Sequence, residues 1–265
     1  MTRLLSRAVR IALMILSGLA LGPARTVEAA AFRVTPIRID FEKGSQSALL
    51  TLINESNDQI RFQISAFAWA QKPDGEMKLE PTSDIVFFPG LLMLKAGEQR
   101  KVRVGSVTAQ GAMEKTYRVF FEELPSLETK EMPAGGSAVR ILTKMGIPVF
   151  IAPAKPVGGG EITNATVKDG KVRFDLRNTG NISFVTQRVG VVGLDGLGGE
   201  VFRKQREGWY VLSGDTRGYD LDLTTDECQK VKKIQIEAHT NLAVKSGQAV
   251  LKGEIPVGSS ACSSK

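Results

Sequence analysis

Large apolar residues recur at alternate positions of one short segment of the chain, between Ser137 and Pro148. Every second position holds one of five residues, four of them large and apolar: Val139, Ile141, Thr143, Met145 and Ile147. Because successive side chains of an extended strand point to opposite sides, these five residues share one face. The segment therefore predicts a β-strand with one apolar face, and the opposite face carries the cations Arg140 and Lys144.

Two interpretations of this apolar face are open. In the first, the face packs into the core of a β-sandwich, which is the common arrangement for a strand with one apolar side. In the second, the strand lies at the edge of a sheet and offers its apolar row to another chain, an arrangement that most proteins suppress. The segment by itself favours the first interpretation, and the rest of the chain favours the second.

The N-terminus predicts export. Three arginines within the first ten residues precede an apolar run, 11–21, and small residues follow at 27–31. This order is typical of a secretory signal peptide, and the apolar run is too short for a membrane-spanning helix. We expect a signal peptide at 1–29, with cleavage after Ala29 or Ala31, and a mature protein without stable membrane insertion.

The charge of the mature chain gives little indication of a nucleic-acid partner. Removal of residues 1–29 takes away four arginines and one glutamate, which lowers the formal net charge from +7 to +4. The sequence has no basic stripe interleaved with aromatic residues, so we predict no nucleic-acid binding. The mild excess is compatible with a partner that presents carboxylates.

The chain contains two cysteines, Cys228 and Cys262. In an oxidising compartment such a pair predicts one disulfide, which would tie the C-terminal tail to the second half of the chain. A closed loop of this length contributes about 3–4 kcal/mol to the free energy of unfolding. Because His239 is the single histidine and no cysteines and histidines cluster, we predict no metal site.

Beyond the signal peptide, strand and turn patterns dominate. The first half predicts strands at 32–41 (interrupted by Pro36), 47–53, 59–70, 85–88, 91–94, 100–104, 116–123 and 139–148. Proline and glycine then concentrate at 148–160, which predicts a domain boundary. The second half predicts strands at 161–168, 171–176, 185–193, 210–212, 231–238 and 248–255. Short strands at such spacing predict an all-β protein of two β-sandwich domains.

The motifs of common catalytic sites are missing. His239 has no serine or cysteine motif beside it. The glycine-rich stretch 193–199 predicts a hairpin loop, because no strand-to-helix pattern surrounds it as in a phosphate-binding loop. Acidic residues at 220–227 lack the spacing of a calcium-binding loop. We therefore predict that the protein is not an enzyme and requires no cofactor.

Several stretches of the first half resemble, in the same order, the periplasmic pilus-assembly chaperones of the chaperone–usher systems. They are Phe32–Phe41, Leu50–Asn54, Pro89 with Leu94–Val104, Tyr117–Pro125 and Val139–Pro153. Tyr117–Pro125 is the most specific, and the pattern resembles the archaic, spore-coat-U-associated branch. The resemblance covers roughly residues 32–155, whereas the second half matches chiefly at Arg177–Asn181.

This resemblance implies two immunoglobulin-like β-sandwich domains in tandem, in a boomerang arrangement. The N-terminal chaperone domain would span 32–152 and the C-terminal domain 153–265. The implied location is the periplasm, and the implied partners are pilus or coat protein subunits and an outer-membrane usher. A self-capping homodimer of the free chaperone stays open.

The implied mechanism is donor-strand complementation, in which an edge strand of the chaperone completes the sheet of a subunit that lacks its last strand. The donor residues are then Val139, Ile141, Thr143, Met145 and Ile147. Each large apolar side chain buried in this way contributes about 1.5–3 kcal/mol before the cost of ordering. Thr143 is the weak position in the middle of the row.

The family also binds the subunit's C-terminal carboxylate with a basic pair between the two domains. Arg38 matches the arginine of the first strand, and its planar guanidinium suits a carboxylate. The position of the second cation holds Pro148, which cannot serve. We assign the second cation to Lys144, on the same side of the strand, with Arg140 as a weaker alternative.

Two further hypotheses remain. A secreted structural or adhesive β-sandwich subunit would receive a strand instead of lending one, but it would be a single incomplete domain with a long apolar N-terminal tail. A secreted hydrolase on a sandwich scaffold would need a catalytic constellation that the sequence lacks.

Overall fold

The computed structural model describes residues 31–126, 141–244, 247–258 and 261. The signal-peptide prediction for residues 1–29 lies outside this part of the chain. Within it, regular structure is almost entirely β-strand, with one short helix, α1 (Thr225–Lys230). No helix of the described residues is long and apolar enough to cross a membrane.

The first half of the chain forms two facing sheets. Their strands are β1 (Phe32–Thr35), β2 (Ile39–Phe41), β3 (Ser47–Asn54), β4 (Ile60–Gln71), β5 (Met77–Pro81), β6 (Ile85–Phe88), β7 (Leu91–Leu94), β8 (Gln99–Ser106), β9 (Lys115–Leu124) and β10 (Lys144–Ile151). One sheet has the order β1-β3-β8-β6. The other has the order β2-β10-β9-β4-β5, and β7 also pairs with β4.

The segment Phe32–Phe41 contributes to both sheets because Pro36 interrupts it, as the sequence predicts. Before the proline, β1 pairs antiparallel with β3. After it, β2 pairs parallel with β10, with Ile39 opposite Val149. A proline has no N–H for a sheet ladder, so the chain leaves one sheet there and enters the other.

The core between these sheets follows the period of two along each strand. Its fully or almost fully buried members include Leu50, Leu52, Phe62, Val102, Val104, Val119, Phe121, Ile147 and Val149. Each such row of apolar side chains removed from water stabilises the sandwich in proportion to its buried area.

The second half forms another sandwich with a core of its own. Its strands are β11 (Gly160–Lys168), β12 (Lys171–Asn178), β13 (Phe184–Leu194), β14 (Glu200–Glu207), β15 (Tyr210–Val211), β16 (Thr216–Asp222), β17 (Lys233–Val244) and β18 (Gly247–Pro256). One sheet is β11-β12-β16, and the other is β14-β13-β17-β18 with β15 on β13. Separate clusters of buried side chains fill the two sandwiches. The predicted all-β fold with two tandem sandwiches is confirmed.

Four elements carry no clear signal in the sequence. They are β5, β14, β16 and α1, and the exposed residues of β5 and β14 show why, since few of their side chains are buried in a periodic pattern. The helix begins at a local signal, a capping box in which Thr224 and Glu227 each bind the other's main-chain N–H. Cys228 of this helix is disulfide-bonded. Cys262 lies outside the described residues, so its pairing with Cys228 stays a prediction.

A buried asparagine closes one end of the first sandwich. Asn54 ends β3 and is fully buried. Its side-chain amide donates to the carbonyls of Asp58 (2.8 Å) and Leu94 (3.2 Å), and its Oδ1 accepts the N–H of Ser56 (2.9 Å). One side chain thus holds a turn and fastens it to a strand of the other sheet.

The second sandwich repeats this corner at the end of β12. The amide of Asn178 donates to the carbonyls of Ile182 (2.8 Å) and Val211 (3.0 Å), and its Oδ1 accepts the N–H of Gly180 (2.9 Å). The offsets within the turn, two and four residues, are the same as at Asn54. The sequence shows no internal repeat, so this correspondence is visible only in the structure.

We expect Asn54→Ala and Asn178→Ala each to lower the free energy of unfolding by about 2–4 kcal/mol, because buried carbonyls lose their donors. Urea denaturation followed by circular dichroism measures the change. Ser45→Ala, at an exposed turn, is the control and should change little. A loss as small as that of the control would show that the two corners do not contribute to stability.

Candidate functional site

Strand β10 has different neighbours on its two sides. On one side β9 pairs with it along its whole length, from Lys144 opposite Glu122 to Ile151 opposite Lys115. On the other side β2 pairs with it only from Val149 to Ile151. In the described part of the chain no strand occupies that second side between Lys144 and Pro148. We call this stretch the open edge.

One hydrogen bond determines the direction in which the main-chain groups of the open edge point. The N–H of Glu123 donates to the carbonyl of Thr143 (2.9 Å), so Thr143 points its main-chain groups towards β9. Since this direction alternates along an antiparallel pair, the even-numbered residues of β10 point theirs away from β9. The open edge therefore presents N–H and carbonyl groups at Lys144 and Gly146, but only a carbonyl at Pro148.

The five predicted donor residues occupy different surroundings. Ile147 is only 1% exposed and lies in the core, and Met145 packs against the same core while remaining partly exposed. Thr143 is half-buried, and Ile141 is 52% exposed. Val139 lies outside the described residues. The apolar row thus runs from the protein's own core out into solvent, where it is available to a partner.

An aromatic cluster lies where the two sandwiches meet. Trp69 and Phe150 of the first sandwich are buried against Tyr210 and Leu212 of the second. Tyr210 stacks on Phe150 with ring centroids 5.6 Å apart, and meets Trp69 edge-on at 5.4 Å. Such ring pairs add to the stabilisation that comes from burial alone, so they hold the two sandwiches together.

Arg38 lies at one side of this cluster. Its guanidinium carbon is 4.1 Å from the ring centroid of Phe150 and 5.9 Å from that of Tyr210. Nε and Nη2 donate to the carboxylate of Asp40 at 2.7–3.0 Å. Burial lowers the pKa of Arg38, but Asp40 outweighs this and the net change is a rise. The predicted anchor thus remains charged, and an internal carboxylate already neutralises much of its charge.

Arg118 lies at the other side of the cluster, and the sequence alone gives no signal for it beyond its place in the Tyr117–Pro125 stretch. It is 6% exposed, and its guanidinium carbon lies 4.1 Å from the ring centroid of Trp69. Nη1 donates to the carbonyl of Gly146 (3.2 Å). Burial lowers the pKa of Arg118, because no carboxylate compensates for the lost water.

Three donors at this place are buried without an acceptor among the described residues. They are Nε and Nη2 of Arg118 and the indole Nε1 of Trp69. A buried donor without a partner costs about 1–3 kcal/mol, so natural proteins rarely leave several together. The site therefore has an unmet capacity to bind an acceptor.

Lys144, the predicted second cation, lies away from Arg38. It forms an ion pair with Glu122 at 2.7 Å, and both side chains are about half exposed. Four residues of extended strand, about 13 Å, separate it from Pro148, which is level with Arg38. The structure does not bring Arg38 and Lys144 together, and Arg140 lies outside the described residues.

A polar contact between the sandwiches accompanies the aromatic cluster. The carboxylate of Glu114 accepts the N–H of Ser183 (2.8 Å), and the N–H of Glu114 donates to the carbonyl of Asn181 (2.9 Å). Burial raises the pKa of Glu114, although the bonds to Ser183 oppose the rise. Among the described residues no group of three or more histidine, cysteine, aspartate or glutamate side chains is arranged to hold a metal ion.

Comparison with known proteins gives one family and one fold. Residues 31–156 match the family of pili and flagellar-assembly chaperones, PapD N-terminal domain. A search of curated proteins gives no match.

Solved structures share the fold over most of the chain. The archaic CsuC–CsuE chaperone–tip adhesion subunit complex of Acinetobacter baumannii matches with 21% identity, 84% of this chain, 98% of that chain and a TM-score of 0.54. The E. coli chaperone DraB matches with 17% identity, 86% and 99% coverage and a TM-score of 0.55. The SafA pilin–SafB chaperone complex of Salmonella enterica matches with 14% identity, 87% and 99% coverage and a TM-score of 0.53.

We expect Glu114→Gln to stabilise the protein at neutral pH. A raised pKa means that the folded state binds the proton more tightly than the unfolded state, so this carboxyl costs stability as pH rises through and above its titration range. Glutamine keeps the acceptor for Ser183 and removes the charge. Urea denaturation between pH 3.5 and 8 should show a gain over the wild type that disappears in acid.

The control is Glu80→Gln, at an exposed carboxyl whose pKa is lowered by Lys78. Its effect should have the opposite sign, a small loss at neutral pH that disappears in acid. An unchanged pH profile in Glu114→Gln would contradict the assigned role of burial.

Proposed function

Because the chain belongs, through residues 31–156, to the family of pili and flagellar-assembly chaperones, we propose that it binds pilus or coat subunits by donor-strand complementation and delivers them to an outer-membrane usher. The proposed location is the periplasm, after removal of the signal peptide. We also propose domain limits at 32–152 and 153–265, the second domain beginning after β10.

One observation carries the proposal: the open edge of β10 lies beside an apolar row that is exposed at its start. At Lys144 and Gly146 the edge supplies main-chain groups that no strand of the described residues pairs, and another strand can bind them whatever its sequence. The apolar row supplies side chains that can fill pockets of that strand's sheet. Exposed edges with apolar residues attract other chains, so their presence in a stable protein fits a role in binding strands.

The donor residues we propose are Val139, Ile141, Thr143 and Met145. Ile147 is left out, because its side chain already fills the protein's own core and its removal would open a cavity. The structure thus places β10 at Lys144–Ile151, later than the predicted strand at 139–148: Ile147 lies in the core, whereas Ile141 and Thr143 precede the strand.

Similar structures support this proposal at the level of partners. The CsuC and SafB chaperones are seen in complexes with a tip subunit and a pilin. The alternative, a subunit that receives a strand, has less support. A receiving subunit would leave a groove in its core, whereas Ile147, Val149 and Ile151 of β10 already fill this core.

The test is co-expression with candidate pilus or coat subunits in a bacterial periplasm, comparing the wild type with Ile141→Asp. We expect recovery of the soluble one-to-one complex to fall about ten-fold or more, because a carboxylate would be buried in an apolar pocket. The matched control is Leu142→Asp, since Leu142 is 44% exposed but belongs to the opposite face of the extended segment.

Complex formation that survives Ile141→Asp as well as it survives Leu142→Asp would rule out donation through this row. Both variants must show the thermal transition of the wild type, so that loss of complex is not loss of fold. Equal loss in both would point to binding by the loop as a whole and not by one face.

A second prediction concerns Arg38, which we propose as an anchor for the subunit's C-terminal carboxylate. Asp40 competes with any such ligand for Nε and Nη2 of Arg38. We expect Asp40→Asn to increase the yield of complex and Arg38→Gln to lower it several-fold, as charge-assisted bonds are gained or lost. Lower yield in Asp40→Asn, with the fold intact, would show that Arg38 acts through Asp40 and not on the subunit.

A further inference from the structure

We propose that Glu123 and Pro125, at the end of β9, stop its pairing with β10 at Thr143 and so keep the residues before β10 free for another chain. We call residues 141–143 the donor segment, and the pair Glu123 and Pro125 the stop. Glu123 is then a positioning residue, because it determines where the chain leaves the protein's own sheet. The inference rests on the proposed function, since the segment belongs to the proposed donor row.

The first argument is the hydrogen bonding of Thr143, where the ladder ends. The register that sets Lys144 opposite Glu122 places Thr143 opposite Glu123. Two residues at such a position of a regular antiparallel pair exchange two main-chain bonds. Here one of the two is present among the described residues, from the N–H of Glu123 to the carbonyl of Thr143 (2.9 Å). The N–H of Thr143 donates instead to the carboxylate Oε2 of Glu123 (3.3 Å).

The carboxylate of Glu123 thus takes the place of a main-chain carbonyl. Glu123 is 2% exposed, so this carboxylate lies inside the protein and not in solvent. Burial of a carboxylate is costly unless donors compensate for the lost water, and the N–H of Thr143 is such a donor. The side chain therefore holds the one N–H that the ladder would need to continue.

The second argument is the next position of β9. Main-chain groups face the same neighbour at every second residue of a strand, so Pro125 would follow Glu123 and would lie opposite Ile141. Pro125 has no N–H that Ile141 could accept. The carbonyl of Pro125 already accepts a bond from Nη2 of Arg61 on β4. Two successive pairing positions of β9 are therefore closed to the donor segment.

The third argument is that the donor segment departs while β9 stays in place. β9 remains paired with β4 up to its last residue, Leu124, which lies opposite Arg61. Ile141 and Leu142 are 52% and 44% exposed and belong to no described strand. Before Thr143 the segment is thus free of β9. A segment that is free on both edges can lie between two strands of another sheet, whereas one that is still bonded to β9 would pair on one side only.

A role for Glu123 in stability alone explains less. Tyr117, Val119 and Phe121 point from β9 into the core, and Glu123 follows them in the same alternation. A valine at this position would extend the apolar row and favour strand pairing. A buried carboxylate that interrupts the ladder lowers stability by comparison, and the interruption has a use only if the segment beyond it must stay open.

The first measurement is amide hydrogen exchange of the ¹⁵N-labelled protein by NMR, and it needs no variant. We expect the N–H of Thr143 to exchange about ten-fold or more slowly than those of Ile141 and Leu142, because only Thr143 has an acceptor on β9. Equally fast exchange at all three residues would show that the carboxylate bond does not form. Equally slow exchange would show that the donor segment pairs with β9.

Two variants separate the carboxylate from the position that it occupies. The double variant Glu123→Val with Pro125→Val removes the carboxylate and restores the missing N–H. The ladder should then continue, and the N–H of Ile141 should exchange about ten-fold or more slowly than in the wild type. The matched control is Glu123→Gln, whose amide oxygen still accepts from Thr143, so exchange at Ile141 should stay fast.

The effect on binding is measured by co-expression with the same pilus or coat subunits. The double variant should lower recovery of the complex about five-fold or more, although every apolar donor side chain is unchanged, because the new bonds to β9 must break first. Glu123→Gln should lower it about two-fold or less.

A double variant that gains protection at Ile141 but forms the complex as well as the wild type overturns the link between the stop and donation. A folded double variant without added protection overturns the stop itself. If the thermal transition shows that the variant does not fold, the exchange pattern of the wild type decides. These failures leave the proposed function untouched, because strand donation is judged by Ile141→Asp. A complex that ignores Ile141→Asp would end the proposed function while the exchange pattern persists.

Discussion

The hydrogen bonding of β10 is the constraint on which the rest of the structure depends. Its odd-numbered residues bond β9 and send their side chains into the core, and its even-numbered residues turn their main-chain groups the other way. A strand with only one partner over part of its length leaves those groups to water or to another chain. The short β2 covers just the last three residues, so the extent of β2 decides how much of the edge is available.

The two arginines at the junction of the sandwiches differ in how far a neighbouring carboxylate neutralises their charge. Both arginines lie on aromatic rings that bridge the two sandwiches, but only Arg38 has a carboxylate beside it. A neutralised arginine is a stable structural part, whereas a desolvated one without a partner gains most from a new anion. Arg118 therefore has more free hydrogen-bonding capacity for an anion than Arg38 has.

Much of this fold could be predicted from local patterns. Strands such as β3, β6, β7 and β9 are apolar or β-branched runs, and their predicted bounds differ from the structure by a residue or two at most. Of the elements that were missed, β5 and β14 have little periodic burial and α1 is short. Ile147 could not be separated from Ile141 by sequence, because both share one face, and only the length of β2 and the packing of the core decide which of them is buried.

The alignment of Arg38 with Arg118 could not be predicted either, since the two residues are distant in sequence and are level only through the register of three strands. Pro148 lies between them on β10, and this residue would stop the ladder of any added strand. Its ring removes the donor that would continue a ladder past Gly146, and β2 takes over at Val149. One end of any strand added at the open edge is therefore fixed by the covalent ring of Pro148 and not by the affinity of its side chains.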